Sequence, residues 1–222
     1  YWNQNILNNP KNKIINGEDN TGDIYKYKNV SFFIKNINHN YCHLVTADGG
    51  FDYSKDYNSQ ELLSYKLLYS EIYIAINIQK IKGNFVIKFF DLFRYKTIQL
   101  IYLLYCCYSE IHIYKPCTSR LSNSEKYVIC KNFIGCTKPV KEKLKEYYDN
   151  CEKIHIDIPE SFLKDINNFN DEFVLSQMNS INNILKLIKK NEKIEKIPTP
   201  EQIENAIGWC EKYELPINDK CN

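Results

Sequence analysis

Arginine is almost absent. The 222 residues contain it only at Arg94 and Arg120, while Asn, Lys, Ile and Tyr are used heavily. Such a skew is what coding bias produces, so the number of lysines says little about partners. The two guanidiniums, planar and able to grip an anion with two parallel bonds, are the more informative charges. A strong net charge is missing as well: 29 basic against 27 acidic side chains leave a formal +2. No bulk field recruits nucleic acid, and any such site has to be a local patch.

Long apolar runs are missing too. The longest, Ile98 to Tyr108, is broken by Gln99 and falls far short of the roughly 20 residues a membrane span needs, so no membrane association is expected. The start, Tyr1-Trp2-Asn3-Gln4, has neither the basic flank nor the apolar core of a signal peptide. The nine cysteines include no Cys-x-x-Cys and no paired Cys/His spacing. That pattern points to reduced, mostly buried thiols of an intracellular protein rather than a zinc site or a disulfide framework. His39, His43, His112 and His155 are scattered, and no metal is expected. The seven glycines contain no G-x-G-x-x-G fingerprint.

What is present suffices for one domain with an appendage, since 44% of the residues are hydrophobic. Residues 1–23 read as loop, ending in the turn-prone Gly17-Glu18-Asp19-Asn20-Thr21-Gly22-Asp23. Val30, Phe33, Ile34 and Ile37 recur at helical spacing and predict a short amphipathic helix, followed by a buried strand at Cys42–Thr46. Residues 60–80 lack Gly and Pro and predict a helix covered on most sides. Asn84–Phe90 predicts a strand, Thr97–Cys107 a second helix, and Glu110–Lys115 and Lys126–Cys130 two further strands. The order β-α-β-α-β-β implies an α/β fold: a mainly parallel sheet clothed on both faces, with an antiparallel closing pair. In such sheets ligands bind at the carboxyl ends of the strands. Beyond Pro139 the pattern turns helical, over about 139–149, 159–167, 171–190 and 200–213. Thr199, Pro200 and Gln202 spell a capped start for the last of these.

Three segments place ionisable groups at or beside strand ends: Thr46 to Phe51, Phe85 to Phe90, and Lys115 to Tyr127. Asp48 is also compatible with a plain Gly-Gly turn, and Ser122-Asn123-Ser124 with a plain hairpin loop. Lys88 is harder to dismiss. Flanked by Phe85, Val86, Ile87, Phe89 and Phe90, it has to snorkel or meet carboxylates, of which Asp48 and Glu125 are available. A partly desolvated lysine can act as a general base.

Together, Gly22-Asp23-Ile24, ADGGF at 47–51, Asn58, KFFDLF at 88–93, LIYLLYCC at 100–107 and KPCTSRLSNSEKYVICK at 115–131 resemble the FtsJ-like methyltransferases. The wording is nearest to the cap-specific mRNA 2′-O-ribose methyltransferases of that family. The resemblance implies a Rossmann-like S-adenosylmethionine-dependent methyltransferase sheet in residues 1–137 and a helical extension packed on it in 138–222. It implies S-adenosylmethionine as cofactor and methylation of the first transcribed nucleotide of capped mRNA. The second, third and fourth members of the family's Lys-Asp-Lys-Glu tetrad fall on Asp48, Lys88 and Glu125, with Lys88 the base. Asp23, Ile24 and Asp48 fall on cofactor-contacting positions, and Asn58 and Asn123 on substrate-contacting ones. Arg120, with Arg94 and Lys96, can meet RNA phosphates. In the family pattern a Gly-rich cofactor loop and the tetrad's first lysine lie upstream of Tyr1, so the sheet is expected to be incomplete at its N-terminus. Capped mRNA is the partner implied, with other capping enzymes or RNA polymerase beside it, in the nucleus or in a cytoplasmic viral-type capping system. A catalytically silent RNA-binding scaffold and a cap-2 or rRNA 2′-O-methyltransferase are the alternatives.

Overall fold

The computed structural model describes residues 8–37, 42–50, 52–53, 56–190 and 198–217. Phe51 and His39 lie outside the described residues. Two compact units make up the chain, residues 1–180 and 181–222.

The first unit contains helix α1 (Tyr27–Asn36), strand β1 (Cys42–Ala47), a short 3-10 turn (Tyr57–Ser59), helix α2 (Gln60–Ile78), strand β2 (Gln79–Phe89), helix α3 (Tyr95–Cys107), strands β3 (Tyr108–Tyr114) and β4 (Lys126–Phe133), and helix α4 (Lys138–Glu146). Helix α5 (Glu160–Lys189) begins in it. The sheet order is β1-β2-β4-β3, with β1 parallel to β2 and β4 antiparallel to both its neighbours. The order of elements read from the sequence is the order found. Among the described strands only the β1–β2 pairing is parallel, so the sheet is mixed rather than mainly parallel as expected, because β4 turns back to lie between β2 and β3.

Strand periodicity decides where Lys88 points. Alternate side chains leave opposite faces of a strand. Phe85, Ile87 and Phe89 are fully buried on one face of β2, which puts Val86 and Lys88 on the other. Val128 and Cys130 of β4 continue the buried face, beneath Tyr69, Ile72 and Ile76 of α2 and Leu100, Ile101 and Leu104 of α3. Each such side chain contributes about 1.5–3 kcal/mol by leaving water. The opposite face is open among the described residues: Leu44 is 60% and Tyr114 44% exposed. Among the described residues, therefore, the covering helices lie on one side of the sheet, and β1 is part-buried to exposed rather than buried as expected. From β1 to β2 and from β2 to β3 the chain advances in the same direction across the sheet, so right-handed crossovers set both helices on the same side.

Helix α2 ends at Ile78 because β2 starts earlier than expected, through a bulge. The register passes from Cys42 opposite Gln79 to Leu44 opposite Asn84. Gln79, fully buried, fills the bulge by donating to Cys42 O at 3.1 Å and Asn84 O at 3.0 Å and accepting from the Tyr108 hydroxyl at 3.0 Å. A side chain at Gly83 would strike Gln79 Nε2 at 2.5 Å and Cys42 O at 2.8 Å, which requires glycine there.

Residues beyond 137 enter the same core through Leu144, Tyr148, Cys151, Ile154 and Ile166. The Tyr69 hydroxyl donates to Leu144 O, and the Tyr148 hydroxyl to Ile24 O at 2.6 Å. The expected break near residue 170 does not occur, and α5 is one helix. Phe162, Ile166, Phe169 and Phe173 recur every three or four residues and pack inward or half-inward, which outweighs the helix-averse Asn and Asp residues between them. Of the eight described cysteines, all free, Cys107, Cys130 and Cys151 are buried.

In the second unit, α6 (Pro200–Lys212) starts with the capping box expected, Gln202 N donating to the Thr199 hydroxyl and Thr199 N to the Gln202 side chain.

Candidate active site at the strand ends

Four strand termini meet along one edge of the sheet. The chain leaves β1 at Ala47 and β2 at Phe89, leaves β3 at Tyr114, and enters β4 at Lys126. Asp48, Lys88, Lys115 and Glu125 accordingly share that edge.

Lys88 projects from the open side of β2 with its side chain only 16% exposed, and its Nζ lies 2.7 Å from Asp48 Oδ1. It also donates to Asp48 O at 3.2 Å and sits 5.8 Å from the centre of the Phe90 ring. The lysine thus meets a carboxylate, one of the two outcomes its apolar flanks demanded. Glu125 reaches the pair indirectly. Its Oε1 accepts from the Tyr127 hydroxyl at 3.0 Å, and Tyr127 is the cross-strand partner of Lys88. Burial pushes the Tyr127 phenol up to about 12, helped by Glu125 and then Asp48, so it is a hydrogen-bond donor at neutral pH.

The loop between β3 and β4 has no regular secondary structure and is held by Lys115. That ammonium donates to Asn123 O at 3.0 Å, to Glu125 O at 2.6 Å and to Asn123 Oδ1. Partial burial, and then Arg120, hold its pKa below the ordinary lysine value against the pull of Glu125. Arg120 is exposed on the same loop. Asn58 is exposed in the turn before α2, its N–H donating to Asp56 Oδ1 at 3.0 Å. That turn meets the loop two residues further on, where the Ser124 hydroxyl donates to Gln60 Oε1 at 3.3 Å.

On the β1 side lies a cavity of about 290 Å³, lined by Ile24, Val30, Phe33, Ala47, Asp48 and Glu71 among others. Ile24 and Asp48 of the sequence-based cofactor set face it. The Asp23 carboxylate instead accepts from Tyr25 N at 2.9 Å and lies 3.8 Å from Lys26 Nζ. Glu71 Oε1 accepts from Gly49 N at 3.1 Å. Desolvation pushes its carboxyl up to about 7, opposed by that bond and by Lys88. The mostly apolar wall with two carboxylates suits a flat heterocycle joined to a cationic centre.

Glu71, Lys115 and Tyr127 were not picked out from the sequence. Tyr127 sits inside a segment that was, but its closeness to Lys88 depends on a cross-strand register. Lys96, considered for RNA phosphates, donates to the carbonyls of Glu152 and Ile154 and so ties two backbone segments together.

Residues 2–133 match the family model of the FtsJ-like methyltransferases, more than half of the chain. The chain is similar to cap-specific mRNA (nucleoside-2′-O-)-methyltransferase 1 of Mus musculus, 34% identical over 214 residues, 90% of this chain and 26% of the relative. It is 32% identical to the Homo sapiens enzyme of that name over 185 residues, 78% of this chain and 22% of the relative. Cap-specific mRNA (nucleoside-2′-O-)-methyltransferase 2 of Pongo abelii is 39% identical over 158 residues, 67% of this chain and 20% of the relative. The chain spans about a quarter of the length of the curated relatives it matches.

Proposed function

Because this chain belongs to the FtsJ-like methyltransferase family, we propose that it methylates the ribose 2′-oxygen of the first transcribed nucleotide of capped mRNA, with Lys88 as general base. The single observation that carries the reading is the Lys88–Asp48 pair, 2.7 Å apart at the strand end, beside the β1-side cavity. S-adenosylmethionine, when bound, supplies an electrophilic methyl group on a sulfonium centre. Ile24 and the apolar wall would hold its flat ring, and Asp48 and Glu71 its positive charge.

The chain's own residues then position two substrates and remove one proton. Lys88 takes the proton of the 2′-hydroxyl at Nζ. Asp48 stabilises the ammonium that results. Tyr127, the cross-strand partner of Lys88, donates to Glu125 and links that carboxylate to the site. Arg120, Asn123 and Asn58 bind the RNA, the first through phosphate and the amides through polar edges of the nucleotide. Capped transcripts as substrate fit a nuclear protein or a cytoplasmic viral-type capping system.

The 39% identity to a cap-2 enzyme favours a second reading, the same chemistry one nucleotide further on. The test is transfer of a labelled methyl group from S-adenosylmethionine to short capped RNAs, by the chain and by a form extended upstream in its gene. The reading requires transfer that Lys88→Ala abolishes and that prior 2′-O-methylation of the first nucleotide blocks. RNA binding with no transfer in either form would identify a silent scaffold instead.

A further inference from the structure

Helix α5 touches both segments that carry the site. Asn170 Nδ2 donates to Leu92 O at 2.8 Å, four residues beyond Lys88. One turn on, the Phe173 ring faces two ammonium groups, Lys126 Nζ 4.1 Å and Lys115 Nζ 5.7 Å from its centre. A further turn on, Gln177 Nε2 donates to Ser122 O at 3.2 Å. Residues 170, 173 and 177 lie on one face of a helix with 3.6 residues per turn. A single stiff stripe therefore reaches the end of β2 and the 115–125 loop together.

The two lysines differ in what they hold. Lys115 ties the loop to itself through Asn123 and Glu125. Lys126 is 1% exposed and donates to Phe90 O at 2.5 Å, so it grips the strand end that bears Lys88. Burial drives its ammonium down to about 8 against the pull of Asp91, and an aromatic face is what such a poorly hydrated cation gains most from. Phe173 is half-buried; its ring faces both ammonium groups and stacks on Phe169, which packs against the core.

We infer that the Asn170–Phe173–Gln177 stripe is a positioning element for the reaction, with Phe173 as the residue that sets the loop bearing Arg120, Asn123 and Glu125 against the strand end bearing Lys88. The inference rests on the proposed function for its consequence, RNA placement, but its structural part stands without it.

The discriminating variants are Phe173→Leu, which keeps an apolar side chain but removes the ring face, and Phe173→Tyr, which keeps the ring. Amide hydrogen exchange read by mass spectrometry should rise severalfold in residues 116–125 of Phe173→Leu and stay at the wild-type rate in β2, β4 and Phe173→Tyr. Affinity for a capped RNA oligonucleotide should fall about tenfold in Phe173→Leu and recover in Phe173→Tyr, with S-adenosylmethionine affinity unmoved. Wild-type exchange over 116–125 in Phe173→Leu would overturn the inference. So would an equal rise across β2 and β4, which would make Phe173 an ordinary core residue. If the wild-type chain binds no capped RNA, the proposed function fails, and the exchange data still decide whether the stripe braces the loop.

Discussion

The two flanks of the Lys88 strand are held in unlike ways. On the β1 side the Asp48-Gly49 turn is fixed through its backbone, Gly49 N–H meeting the Glu71 carboxylate, over a mostly apolar cavity. On the β4 side the loop is fixed by long cationic side chains, Lys115 and Lys126, against backbone carbonyls and the Phe173 ring. A flank tied by one backbone amide and one carboxyl hangs on a single titrating group, Glu71. A flank tied by two lysines and an aromatic spreads its hold over several side chains. That division matches the roles proposed, a methyl-donor site on one flank and an RNA site on the other.

The largest effect is expected at the residue between the flanks. Lys88→Ala should lower kcat by about 10²–10⁴, the usual worth of a general base. Stability should change little: the Lys88 side chain is 16% exposed but its partner Asp48 is 68% exposed, and a pair with one member in water contributes about 1 kcal/mol. Single-turnover methyl transfer and a thermal melt check the two halves. Equal loss of activity and folding would show that Lys88 is a structural lysine.

Next comes Lys115→Met, aimed at the β4 flank. Removing the ammonium leaves the Asn123 and Glu125 carbonyls without their donor, a cost of about 1–3 kcal/mol in a partly buried setting. The apparent KM for RNA should rise about tenfold or more while that for S-adenosylmethionine stays put. If both rise together, the two flanks are one unit and the comparison fails.

Glu71→Gln sharpens the contrast from the other side. The variant keeps an acceptor for Gly49 N–H and removes the titration. Because the folded-state pKa of Glu71 is raised from 4.5 to about 7, the protein is favoured with this group protonated. That contribution is complete below about 4.5 and is lost as pH rises through about 7. Melting temperatures should therefore fall between pH 5 and 8 more in the wild type than in Glu71→Gln, so that the variant's curve is flatter. Parallel curves would place the titrating group elsewhere. The smallest effect belongs to Tyr127→Phe, which removes one hydrogen bond to Glu125 and should reduce kcat/KM only severalfold, with the RNA KM nearly unchanged.

Local pattern and long-range packing account for what could and could not be read beforehand. The apolar flanks of Lys88 were visible in the chain, because they are local, and they required the lysine to snorkel or meet a carboxylate; which face it leaves from needed the burial of Phe85, Ile87 and Phe89. The uninterrupted helix from residue 60, expected to reach about 80 and ending at Ile78, and the Thr199–Gln202 cap were legible for the same reason. Glu71 was not, since nothing in helix α2 announces that one of its carboxylates will meet a glycine amide 22 positions earlier. Phe173 and Gln177 were hidden by the Asn167 to Asp171 stretch, whose polar residues suggest a loop until the burial of Ile166 and Asn170 is known. That both crossover helices lie on the same side among the described residues follows from strand order, which periodicity cannot supply.

The most direct test of the account is to locate the transferred methyl group. Capped RNA incubated with the protein and S-adenosylmethionine would be digested with nucleases and its nucleosides sequenced by mass spectrometry, for the wild type and Lys88→Ala. One added methyl is expected on the 2′-oxygen of the first transcribed nucleotide, present with the wild type and lost in the variant. A methyl group on a base, or on the ribose with Lys88→Ala as active as the wild type, would contradict it.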